Sequence, residues 1–261
     1  MSFFSIITVS YNAENLIRET IDSVLMQDFE DYEIIVKDAC SKDNTLSMIP
    51  DNEKIKIYST VDKGIYYGMN EAIDYASGEY ILFLNCGDLL SNSSVLLSVY
   101  KTIKENQADI IYGDYFRNNI VCKQPSRITE FYLYRTPLCH QSMFFKKDLF
   151  YSLCKYNTEF KICADYEFTV HSLKAGKSFA YCNTLVCKYL LGGVSESEEG
   201  KLQKSEEYKR IKDCYYSKAK QKYFDFKLFL SLKGLRQKLV SDNSPLFIRI
   251  LYRRLVNFVN R

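Results

Sequence analysis

The 261-residue chain has no tryptophan, four prolines and two histidines, and none of its nine cysteines stands in a CxxC or other metal-ligand spacing. A structural zinc site therefore has no signature here. The odd cysteine count fits reduced, partly buried thiols in a cytosolic protein, with Cys86 and Cys163 in or beside apolar segments. The ten glycines supply neither GxGxxG after the first strand nor GxxxxGK[ST] anywhere, which excludes the dinucleotide fingerprint and the P-loop. No stretch approaches the ~18 apolar residues of a spanning helix. The run Phe3 to Val9 is short and has no basic flank, unlike a secretory signal. The expectation is a cytoplasmic protein, soluble or peripheral on the inner face of the cell membrane. Internal repeats and low-complexity segments are also missing.

What is present is ordinary globular material, 47% hydrophobic and 26% charged. With 22 Tyr and 17 Phe, aromatic bulk is expected to fill much of the core. The net charge of +3 is unevenly placed: residues 200–261 hold sixteen Lys and Arg against five Asp and Glu, a balance of +11 that leaves −8 for residues 1–199. Two units are expected, a body over 1–199 and a helical, basic extension over 200–261. The extension suits an anionic partner such as a membrane surface, or is a solvated helical face.

Strands are predicted at Phe3–Ser10, 32–38, 54–59, Glu79–Leu84, 108–114 and Ser178–Leu190, with helices at Glu14–Gln27, 64–76, Ser91–Lys104 and Tyr166–Lys174. "NTLSMI" is a short helix and "GGVSESEEG" a flexible acidic loop. Strands alternating with helices imply an α/β protein, a mostly parallel sheet covered on both faces. Such sheets bind ligands at the C-terminal ends of their strands. Asp38 and Asp88 fall at two of those ends, the second closing "YILFLNCGD".

Loop chemistry fits a nucleotide. After the first strand, Ser10, Tyr11 and Asn12 offer polar groups and an aromatic face for stacking, although Asn12 also reads as a helix cap. A carboxylate at Asp38 can accept a base N–H, whereas Asp43 reads as a cap. Asp62 and Lys63 precede a glycine that opens a helix, a place suited to phosphate, or to simple capping by Asp62. His171 receives no role. In the tail, Phe247, Leu251, Leu255 and Phe258 recur at helical spacing with Arg249 and Arg253 on another face, the pattern of an interfacial helix or of a pair packing on the body.

The order "SIITVSYN", "VKDACSKDNT", "DKGIYYGMNEAIDYASGEYILFLNCGD", "HQSMFF" and "ADYEF" resembles the family 2 glycosyltransferases of the GT-A fold, over about residues 3 to 195, and looks most like bacterial surface-polysaccharide enzymes. The resemblance implies a GT-A-like, Rossmann-type nucleotide-binding sheet and an inverting transfer from a nucleotide-sugar donor, such as a UDP-sugar, to a glycan or lipid-linked acceptor. It implies base contacts at Val9, Tyr11 and Asp38, with Asp62 flanking the nucleotide. "NCGD" takes the place of the family's DxD-like motif, so Asp88 alone remains as a carboxylate for Mg2+ or Mn2+, Asn85 and Gly87 standing where acids are common. One Asp suffices chemically, because phosphates and waters complete the shell. Asp165 matches the general base, and it also reads as a helix cap. His140 and Gln141 match a motif near donor and acceptor, and Glu167 is a candidate acceptor contact. Nucleic acid is not an expected partner, since no reader motif is present. Two alternatives stay open: a catalytically inactive nucleotide- or glycan-binding relative, and a nucleotidyltransferase, against which the first loop lacks a Gly-rich basic segment.

Overall fold

The computed structural model describes residues 2–190 and 197–231. In chain order the strands are β1 (Phe4–Ser10), β2 (Tyr32–Asp38), β3 (Ile55–Ser59), β4 (Tyr80–Phe83), β5 (Leu89–Leu90), β6 (Ile110–Arg117), β7 (Ile120–Cys122), β8 (Met143–Lys146) and β9 (Phe179–Lys188). The helices are α1 (Ile17–Leu25), α2 (Ile65–Tyr75), α3 (Val95–Asn106), α4 (Glu130–Arg135), α5 (Leu149–Ser152), α6 (Ala164–Lys174), α7 (Glu198–Tyr215) and α8 (Lys218–Ser231). The sheet runs β3-β2-β1-β4-β8-β6-β9-β5, with β7 paired to β6. β3, β2, β1 and β4 are mutually parallel, and β8 enters antiparallel between β4 and β6.

Successive residues of the central strands feed opposite cores, as the period of two requires. Ile7, Ile35, Ile81 and Phe145 face one side with Met69 and Ile73 of α2 and Phe168 of α6. Ile6, Ile34, Leu82 and Phe144 face the other with Ile21 of α1 and Val99 of α3. Because both faces are covered, every residue of β2 is buried, including Glu33, Lys37 and Asp38. At the N-terminal end of the sheet Glu33 is fully used. It accepts from Ser5 Oγ (2.6 Å), the Ser77 N–H (2.6 Å) and Lys56 Nζ (2.7 Å), which ties three strands to the turn before β4. Burial pushes its carboxyl up, but these donors win and hold it down at about 2.

Several elements differ from the sequence expectation. The first helix starts at Ile17, because Leu16 and Ile17 first turn back onto the Ala13 carbonyl. The β6–β7 hairpin was not expected. It turns on Asn118 and Asn119 at φ 51° and 59°, a left-handed pair that asparagine tolerates. The acidic loop is shorter, since Ser197 accepts from the Gly200 N–H and α7 begins at Glu198. The described part of the C-terminal extension packs on the body: Ile211, Tyr216 and Phe224 join the core of Phe168, and Tyr134 donates to Asp225 at 2.7 Å. The amphipathic stretch at 244–261 lies outside the described residues.

Candidate active site

The loops after β1, β2 and β4 meet at the C-terminal end of the parallel strands. Asp38 ends β2 fully buried. Its Oδ1 accepts from Ser10 Oγ (2.9 Å) and Ser41 Oγ (2.5 Å), and its Oδ2 from the Ser41 N–H (2.8 Å) and Ser59 Oγ (3.1 Å). Burial opposes the charge, yet these donors lower its pKa. A carboxylate has about four acceptor sites, so Asp38 is saturated as placed and organises three loops. Any further donor has to take the place of one of these four. Cys40, at φ 59°, makes the turn that returns Ser41 to Asp38. Asn12 does not cap α1. Its Oδ1 accepts the Lys42 N–H and its own N–H donates to Ser41 Oγ, stitching the two loops together. Asp43 likewise pins the Glu14 N–H and the Thr45 N–H. Tyr11 stands 58% exposed beside this floor.

Asp62 sits before α2. It accepts the Gly64 N–H (3.1 Å) and lies 3.5 Å from Lys37 Nζ, whose side chain is 0% exposed. Lys37 also lies 3.6 Å from Glu71 and donates to the Thr60 carbonyl at 2.8 Å. Gly68 permits this packing, since a Cβ there would meet Asp62 Oδ2 at 2.8 Å and Val9 Cγ1 at 3.7 Å. Lys63 is exposed. The buried cation thus fixes the acid of this loop and leaves the outer lysine to solvent.

The residues after β4 turn inward. Asp88 is 4% exposed, and its oxygens accept from the Leu190 N–H (2.8 Å) and Gln141 Nε2 (3.0 Å). Burial pushes its carboxyl up to about 6 against those neutral donors and the nearby His140. Gly87 has φ 93°, and a Cβ on it would lie 2.3 Å from Leu190 Cδ2, so a side chain there would have to accept a strained backbone and displace Leu190. Cys86 leans on the Val9 carbonyl at 3.5 Å.

Asp165 lies in the first turn of α6, inside the helix rather than capping it. Its Oδ2 is 3.1 Å from His140 Nδ1, and its Oδ1 is 2.7 Å from the Tyr66 hydroxyl. Its side chain keeps 15% exposure. Burial raises its pKa, but His140 and Tyr66 overcome that and lower it. Burial lowers that of His140, and Asp165 raises it above its ordinary value. His140 Nε2 lies 3.3 Å from Asn85 Nδ2. The adjacent residues His140 and Gln141 therefore hold the two acids, one each, and join the strand end to the head of α6. Glu167 departs from the group. It is buried on another side of α6 and accepts from Tyr215 of α7, with its pKa raised by burial.

Tyr66 and Asn85 belong to this site although no role was expected of them. Tyr66 lies in a helix pattern whose buried stripe hides its hydroxyl, and Asn85 registers in the sequence only as a missing acid. Among the described residues no group of three or more His, Cys, Asp or Glu could hold a metal. The oxygen set nevertheless fits a hard cation bound jointly with a diphosphate: Asn85 Oδ1 is buried without a hydrogen-bond partner, and each Asp88 oxygen retains a second lone pair.

Residues 5–166 match the family described as Glycosyl transferase family 2. The chain belongs to that family. Among curated relatives of this family 2 glycosyltransferase is the Mycobacterium bovis PGL/p-HBAD biosynthesis glycosyltransferase, 28% identical over 203 residues, 74% of this chain and 79% of the relative. The Escherichia coli UDP-Glc:alpha-D-GlcNAc-diphosphoundecaprenol beta-1,3-glucosyltransferase WfgD is 35% identical over 133 residues, 48% of this chain and 52% of the relative. S. aureus TarS 1-349 in complex with UDP-GlcNAc superposes with a TM-score of 0.67 at 19% identity, over 99% of this chain and 80% of that one. The chain spans 46% of the longer TarS structure. The mannosyltransferase PcManGT from Pyrobaculum calidifontis, in complex with GDP-Man and Mn2+, gives 0.66 at 16%, over 99% and 84%. At these identities the structural likeness establishes the fold, a GT-A-like mixed sheet. No helix among the described residues is long and apolar enough to cross a membrane.

Proposed function

We propose that the chain moves one sugar from a UDP-sugar to a hydroxyl of a glycan or lipid-linked acceptor in surface-polysaccharide synthesis, with inversion at the anomeric carbon. The observation that carries this is the linked pair of acids, Asp88 at the strand end and Asp165 at the head of α6, held by the adjacent His140 and Gln141. Tyr11 and Val9 face the base. Asp38 receives its N–H in place of the Ser59 hydroxyl, the longest of its four contacts. Lys63 and the start of α2 attract the diphosphate. Mg2+ or Mn2+, when bound by Asp88 and Asn85, would neutralise charge on the departing diphosphate.

Asp165 takes the acceptor proton. Its lowered pKa keeps it ionised at neutral pH, and Tyr66 and His140 hold one oxygen each while the side chain keeps 15% exposure. With the acceptor oxygen attacking opposite the diphosphate, one displacement inverts the centre. The names of WfgD, a UDP-glucose β-glucosyltransferase on a lipid diphosphate acceptor, and of the UDP-GlcNAc complex of TarS support the choice of donor.

The test is a panel of nucleotide sugars scored for thermal stabilisation and transfer with and without Mn2+. Stabilisation by uridine nucleotides, with transfer from one UDP-sugar, is the expected result. Stabilisation without transfer or hydrolysis means an inactive binding relative, and preference for another base overturns the uridine assignment. The basic segment would keep the enzyme at a membrane bearing its acceptor. Deletion beyond residue 240 is expected to weaken liposome binding, and unchanged partitioning removes this part.

A further inference from the structure

The C-terminal extension carries a buried carboxylate with no place in the chemistry above. Glu207 of α7 is 0% exposed. Its Oε1 accepts from the Lys161 N–H (2.8 Å) and Gln203 Nε2 (2.8 Å), and its Oε2 from the Ile162 N–H (3.0 Å) and the Cys163 N–H (2.9 Å). All four donors are neutral amides. Three consecutive backbone N–H groups converging on one anion form a nest, and the nest sits immediately before the positive end of α6. These donors satisfy both oxygens of the buried side chain.

The clamp reaches the catalytic carboxylate through one residue, Ile162. The Ile162 N–H is taken by Glu207, and the Ile162 carbonyl lies 2.8 Å from the Tyr66 hydroxyl. That hydroxyl is 2.7 Å from Asp165 Oδ1. Asp165 itself follows Cys163 by two residues, so the backbone held by Glu207 sets where α6 begins and which way its first turn points. Tyr208, edge-on to Tyr166, and Tyr215, donating to Glu167, press the same helix from α7.

We propose that Glu207 is a positioning residue for Asp165: the C-terminal extension completes the catalytic site by fixing residues 161–163 so that Asp165 meets Tyr66 and His140. The proposal rests on Asp165 being the base. It gives α7 a role separate from any contact with a membrane.

The test compares the full chain with Glu207→Gln, which keeps the shape but places an amide N–H₂ against backbone donors. Amide hydrogen exchange over 161–166 is expected to accelerate by about tenfold or more. The kcat is expected to fall about 10- to 100-fold, the scale of a sub-ångström to 1 Å misplacement of a catalytic group. UDP affinity and donor KM should stay within about twofold, because uniform binding is untouched. Glu207→Asp should recover part of kcat. Lys201→Ala, on the same helix at an exposed ion pair with Glu198, should change nothing. If Glu207→Gln does not fold, Gln203→Leu, which removes only the donor that orients Glu207, should give the same pattern at smaller size. Unchanged exchange, unchanged kcat, or UDP affinity falling in step with kcat overturns the proposal. Absence of transfer by the unaltered chain is seen before any variant is compared and strikes the base assignment, while exchange still decides whether Glu207 holds the loop.

Discussion

The two ends of one sheet carry buried carboxylates of opposite character. At the N-terminal end Glu33 meets a lysine and two serines, and its pKa is held at about 2. At the C-terminal end Asp88 is just as buried, its hydrogen-bond donors are two neutral groups with His140 nearby, and its pKa rises to about 6. The first arrangement stabilises the fold. The second leaves an anion under-compensated where a positively charged ligand would be welcome. Asp165 stands between these cases: it has a lowered pKa like Glu33, but its partner is an imidazole and it keeps a route to solvent. Burial alone therefore does not mark a functional acid. The donors supplied decide the character of each acid.

The comparison can be broken in four ways. Asp165→Asn should cut kcat by about 10²–10⁴-fold, the usual weight of a general base, and leave UDP binding in place; steady-state kinetics beside calorimetric titration checks both. Glu33→Gln should cost about 2–3 kcal/mol of stability at pH 7, its pKa displacement discounted for the half-exposed Lys56, with kcat unchanged. Since its folded pKa is depressed, that stability is present above pH ~4.5 and is lost as pH falls toward about 2, so wild type and variant should converge in acid melts. Asp88 has the opposite sign. Its raised folded pKa makes stability fall by up to about 3 kcal/mol as pH rises from ~3.8 to about 6, and Asp88→Asn should flatten that part of the profile and weaken the effect of Mn2+ on UDP binding. Parallel profiles for the two chains would remove the contrast between the sheet ends. Tyr11→Ala, at an exposed stacking face, should raise donor KM about 5- to 10-fold, the low end of base–aromatic stacking, with no change in melting temperature.

The halves of the molecule were unequally legible. Residues 3–84 read well because β1, β2 and β4 are uninterrupted apolar runs and α2 carries an apolar stripe, so local pattern and final burial agree. The strand-end positions of Asp38 and Asp88 followed from the same pattern. Their inward orientation did not, because it depends on the turn that brings Ser41 back to Asp38 and on Ser59, Gln141 and Leu190 from distant parts of the chain. Several short elements have their reason in pairing rather than in local pattern. β8 is four residues inserted between β4 and β6, and β5 is two residues anchored on β9. The turn holding His140 and Gln141 was read as a motif without a shape. Tyr66 meets Asp165 across 99 positions and Glu207 meets Cys163 across 44, separations at which no periodicity in one sequence leaves a trace.

The most direct test of the central claim is the configuration of the new glycosidic bond, read by proton NMR on product made from an α-linked UDP-sugar. A single displacement with Asp165 as base predicts a β-linked product. An α-linked product would require a second displacement for which these residues provide no nucleophile, and would contradict the account.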